Sequence, residues 1–83
     1  MQNEIISFMR LVFSNCVIQA QYYPDKSAWH FLITFPVTCQ TFTIRPPKGV
    51  CIMSVQSLGG SVSFTAVLFV ADFQKYHLQP IYN

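Results

Sequence analysis

Ile18-Gln19-Ala20-Gln21-Tyr22-Tyr23-Pro24-Asp25-Lys26-Ser27-Ala28-Trp29-His30-Phe31-Leu32-Ile33-Thr34-Phe35 is the stretch that decides the fold class of this chain. Ile18, Ala20 and Tyr22 alternate with Gln19, Gln21 and Tyr23, the two-residue period of a half-buried strand. Pro24-Asp25-Lys26-Ser27 is turn chemistry, because proline presets φ and aspartate can bond the backbone two residues on. Beyond the turn, Trp29, Phe31, Ile33 and Phe35 fall on one side of a second strand, and His30, Leu32 and Thr34 on the other. Two alternating runs around a short turn make a β-hairpin.

The β signal continues downstream. Between Cys39 and Phe42 the apolar spacing slips from two to three, which predicts a bulge or bend, and Pro36 predicts an edge or kinked strand. Arg45-Pro46-Pro47-Lys48-Gly49 reads as a loop and Val50 to Gln56 as a strand. Ser57-Leu58-Gly59-Gly60 reads as a glycine turn and Ser61 to Asp72 as a longer strand, with a further short strand possible before Pro80. Upstream the reading stays open. Ile5, Phe8, Met9, Val12 and Cys16 form a helical stripe with Asn3 as N-cap, yet Glu4 to Phe8 also fits a short strand.

Five or so strands in about 65 residues are too few for a two-sheet sandwich. A small all-β barrel, one domain over residues 1–83, is expected, because closure removes exposed edges.

Composition limits what such a domain does. Five Lys/Arg and three Asp/Glu stand among 83 residues, and 52% are hydrophobic and 16% aromatic. Soluble domains carry about a quarter charged residues. A chain this short buries only a modest share of its surface, so the apolar surplus is expected to meet another copy, another subunit or stacked bases. The net charge of +2 is mild. Cys16, Cys39 and Cys51 lack the spacing of a disulfide framework or a zinc site and are expected to be reduced, buried thiols. His30 and His77 share no ligand spacing with them. No glycine-rich phosphate loop follows a strand, and no nucleophile signature is present. Neither catalysis nor a cofactor is expected. No apolar run reaches the roughly 20 residues of a membrane span, and Glu4 and Arg10 argue against a signal peptide, so a cytoplasmic protein is expected.

Phe35-Pro36-Val37-Thr38-Cys39-Gln40-Thr41-Phe42, followed by Pro47-Lys48-Gly49, resembles the middle of the single-stranded-DNA-binding proteins of filamentous bacteriophages. Asn3 to Phe8 resembles that family's opening strand, and Ala71-Asp72-Phe73-Gln74-Lys75 its closing one. The resemblance implies a five-stranded OB-like barrel, a homodimer built on the Val50 to Val67 hairpin, and coating of single-stranded DNA in the host cytoplasm. It assigns Tyr22 to Lys26 to the DNA-binding wing, although family wings are more basic than this one.

Single strands are bound by aromatic platforms beside cationic grooves. Tyr23 and His30, near Gln19 and Gln21, are the aromatic candidates. Lys26, Arg45 and Lys48 are the candidate phosphate contacts. The expected function is non-catalytic single-stranded nucleic-acid binding by a dimer, with no membrane and no small-molecule substrate. The alternative is a non-catalytic structural or interaction subunit of a viral or phage-encoded assembly.

Overall fold

A computed structural model describes residues 1–36 and 45–78. The chain order is α1 (Gln2–Val12), β1 (Val17–Tyr23), β2 (Ala28–Pro36), β3 (Val50–Leu58), β4 (Ser61–Phe69) and α2 (Val70–Tyr76). The strands form one antiparallel sheet in the order β1-β2-β4-β3. This is a small, mostly β domain, but its sheet is open. The expected closed five-stranded barrel does not form, because β1 and β3 stand at opposite edges and the chain after Phe69 turns helical.

The hairpin read from residues 18–35 is present in the expected register. Tyr22 pairs with Trp29, Ala20 with Phe31 and Ile18 with Ile33. Pro24 to Ser27 form the turn, closed by Lys26 N–H to the Tyr23 carbonyl at 3.2 Å. β2 is a central strand rather than an edge. Pro36 is tolerated because it is the last residue of β2, beyond the Val17–Thr34 pair where β1 begins. The register slip that the structure does contain lies between Ile52 and Ser54 of β3. The bulge expected near Cys39 falls outside the described residues.

One sheet face carries Trp29, Phe31 and Ile33 of β2 and Phe64, Ala66 and Leu68 of β4, all buried. The helices cover this face. α1 contains no glycine or proline, and its Ile5 and Met9, one turn apart, are fully buried against the sheet. Phe13 packs edge-on to Phe64 at 5.3 Å. A helix of this length is marginal alone in water, so this apolar contact is what holds it. The strand alternative for the N-terminus, and with it the resemblance's opening strand, is therefore corrected to helix. Met1, not Asn3, is the N-cap.

The second correction concerns the C-terminal end of the Ser61 to Asp72 run. β4 stops at Phe69 and α2 follows, so the resemblance's closing strand at Ala71 to Lys75 is also helix. Val70 N–H donates to the Ser27 carbonyl at 2.9 Å, which ties the start of α2 to the β1–β2 turn. Phe73 is buried, 5.5 Å from Phe8, and closes the helical layer. Once the helices cap the apolar face, burial no longer requires the sheet to curl on itself.

Among the described residues, no helix is long and apolar enough to cross a membrane.

Candidate binding face

The opposite sheet face is uncovered by either helix. Strand alternation puts Gln19, Gln21 and Tyr23 of β1, His30, Leu32 and Thr34 of β2, Ser63 and Thr65 of β4, and Ser54 of β3 on it. No Lys, Arg, Asp or Glu stands among the described residues of this face. Its polarity comes from amides, hydroxyls and one imidazole.

Gln21 pairs directly with His30, and Gln19 with Leu32. Tyr23 lies diagonally across from His30, and their rings sit 4.1 Å apart at 48°. Both rings are half-buried, each shielding one side of the other. Gln19, Gln21, Tyr23, His30, Leu32 and Thr65 line an open depression of about 520 Å³. Beyond it, hydroxyls pair across the strands: Thr34 with Ser63 at 3.1 Å, and Ser54 with Thr65 at 2.9 Å. The depression offers a tilted aromatic pair at one end and two amides that both donate and accept along its side. Such a surface can stack a flat ring and bond its polar edge.

Four of the seven expected site residues, Gln19, Gln21, Tyr23 and His30, therefore come together. Lys26 lies in the turn that follows Tyr23, at the end of the face. Arg45 and Lys48 do not join them. Arg45 is exposed ahead of the Pro46-Pro47 pair. Lys48 belongs to the helical layer, where its ammonium lies 5.6 Å from the Tyr76 ring and that of Lys75 lies 5.1 Å from the same ring. The Lys48 carbonyl accepts a hydrogen bond from His77 Nε2. The direction in which Lys48 is presented is set by the docking of α2.

Leu32 and Thr65 complete the depression and were not singled out from sequence. Leu32 lay on the right face by alternation. Thr65 reaches the site only because β4 pairs with β2, a long-range choice of neighbour.

The thiols also differ from expectation. Cys51 is exposed and Cys16 half-buried rather than buried, while Cys39 falls outside the described residues. Cys16 donates its thiol hydrogen to the Phe13 carbonyl at 2.7 Å, and partial burial pushes its pKa up. No group of three metal-ligating side chains occurs among the described residues.

No known family model, curated protein or solved structure matches this chain.

Proposed function

We propose that this protein is a non-catalytic binding module that takes single-stranded nucleic acid on its open sheet face, and that it works as a dimer or larger assembly. The observation that carries the reading is the Tyr23–His30 ring pair beside the Gln19 and Gln21 amides in one open depression. Stacked bases contribute about 1–3 kcal/mol each on aromatic platforms, and exposed base edges are read by polar side chains. The charge-free face favours bases over phosphates. Lys26, in the turn whose backbone N–H bonds the Tyr23 carbonyl, is the candidate phosphate contact at this end of the face.

Titration of a labelled oligonucleotide at two salt concentrations tests this. One or two phosphate contacts give a shallow dependence, with a log–log slope of about −0.7 to −1.4. Tyr23→Ala weakens binding by about 1–3 kcal/mol while the fold persists. Absence of affinity for any single strand at low salt overturns the reading.

A second reading, a structural or interaction subunit of a viral or phage-encoded assembly, is favoured by the exposed apolar side chains Leu11, Val17, Met53 and Val55, which are 83%, 62%, 65% and 56% accessible. Val17 stands on one edge strand and Met53 and Val55 on the other, so these side chains offer separate points of contact at the two edges of the sheet.

A further inference from the structure

Among the described residues, β1 is an edge strand, and nothing in them pairs with its outer side. Every second residue of an edge strand turns its N–H and C=O away from its neighbour, and proteins usually blunt such edges with charge, proline or a bulge. Val17-Ile18-Gln19-Ala20-Gln21-Tyr22-Tyr23 contains no charged residue and no proline, and its register with β2 is unbroken. The other edge, β3, is interrupted by the register shift between Ile52 and Ser54. A bulge of that kind twists an edge away from a flat partner.

The middle of β1 is also symmetric in sequence. Its centre, Gln19-Ala20-Gln21, reads the same from either end, and two aliphatic residues on one side answer two tyrosines on the other. We infer that the outer edge of β1 docks a second copy of this chain, β1 against β1 antiparallel about a two-fold axis at Ala20, joining two four-stranded sheets into one of eight strands.

The register follows from the symmetry. Gln19 meets the partner subunit's Gln21, and each amide finds a group that both donates and accepts. Ile18 meets the partner subunit's Tyr22, and Val17 meets the partner subunit's Tyr23. At the axis alanine meets alanine, so nothing bulky keeps the backbones apart. A two-fold interface sets each residue type against its own mirror set, so a charge anywhere in β1 would be duplicated across it. β1 has none.

The flanks of the strand fit the same occupant. Ala20 and Tyr22 lie on the helix side of the sheet yet remain exposed, Tyr22 at 41%. One depression lined by Met1, Tyr22 and Trp29 and another lined by Arg10, Phe13 and Val17 flank the two ends of the strand. With the Gln19–Leu32 depression on the open face, β1 has a hollow on each side. Strand addition uses such an arrangement, with main-chain bonds supplying affinity and flanking pockets taking alternate side chains.

This inference rests on the self-association within the proposed function, and its test reads mass alone, with no nucleic acid present. It also moves the interface away from the Val50 to Val67 hairpin, whose Val67 is buried in the central strand β4 between His30 and Cys51.

Sedimentation equilibrium of the wild type, Ala20→Lys and Val55→Lys, with circular dichroism to confirm folding, tests the assignment. The wild type is expected at twice the 9.5 kDa chain mass. Ala20→Lys sets two ammonium groups together at the axis and is expected to raise the dissociation constant about tenfold or more. Val55→Lys, on the exposed edge β3, is expected to leave it unchanged. A dimer that survives Ala20→Lys, or is lost in Val55→Lys, overturns the β1 assignment and leaves self-association standing. A monomeric wild type at about 100 µM overturns both. If Ala20→Lys does not fold, hydrogen exchange of the wild type decides. Alternate β1 amides should be protected at high concentration and lose protection on dilution, and equal exchange at both concentrations overturns the inference.

Discussion

Single side chains in this domain have separable jobs. Phe31 is 1% exposed in the middle of the helix-covered face, so Phe31→Ala is expected to lower unfolding stability by about 3–5 kcal/mol in a denaturant titration. Tyr23, on the same hairpin but the other face, should affect ligand and not fold. The reverse pattern, with Tyr23→Ala melting the protein and Phe31→Ala leaving it intact, would mean that the two faces are assigned backwards. Cys16 and Cys51 also divide. Burial raises the Cys16 pKa, so at neutral pH its thiol stays protonated and reacts slowly with iodoacetamide. Its alkylation should accelerate only as pH climbs above the usual thiol range, and mass spectrometry of partly alkylated protein would show the lag. Because the folded pKa lies above the unfolded one, the associated stability is present below the ordinary thiol pKa and lost as pH rises through the folded one. These two-residue alternations were legible in sequence because strand geometry assigns a side by parity. Burial of the cysteines was not, since no local pattern records what a helix will cover.

At the scale of elements, the hairpin was read correctly and the two helices less well. α1 was one of two options, since a stripe at helical spacing and a short apolar alternation share residues 4–8. The sheet decides between them by offering an apolar face to Ile5 and Met9. The end of β4 misled for a different reason. Val62 to Ala71 is rich in β-branched and aromatic residues, and β propensity reports packing on a pleated surface rather than a backbone preference. The switch at Val70 depends on Val70 N–H meeting the Ser27 carbonyl and on Phe73 meeting Phe8. α2 in turn makes a demand on Gly49, which has φ +87° and where a Cβ would crowd Asp72 Cβ at 3.0 Å. Gly49→Ala should therefore destabilise by about 1–3 kcal/mol, through strain and the displacement of α2. A thermal melt of that variant unchanged from wild type would contradict the packing of α2 on the β3 entrance. Gly59→Ala tests backbone conformation alone, because its φ is +57° but no atom lies within 4 Å. A smaller loss is expected there.

For the molecule as a whole, strand order is what separates expectation from outcome. A dimer built on the Val50 to Val67 hairpin would be split by Val67→Asp, a charge placed in its apolar interface. In the observed order β1-β2-β4-β3 the substitution puts a charge inside the sheet, so it should unfold the domain, and the loss of the circular dichroism signal in step with loss of any dimer is the check. A folded monomer instead would place the interface on β4's surface after all. From sequence alone came the content of small antiparallel strands, the two faces of the first hairpin, and the grouping of Gln19, Gln21, Tyr23 and His30. All follow from short-range parity and turn chemistry. Tertiary structure alone decided that the sheet stays open, that Thr65 completes the depression, that Lys48 joins the helical layer, and that β1 is an edge. Each of these is a choice of long-range neighbour. The apolar face could be buried by curling into a barrel or by two helices laid across it, and local sequence leaves both open. Docked helices bury it without closing the sheet, and among the described residues one face and two edges are left uncovered.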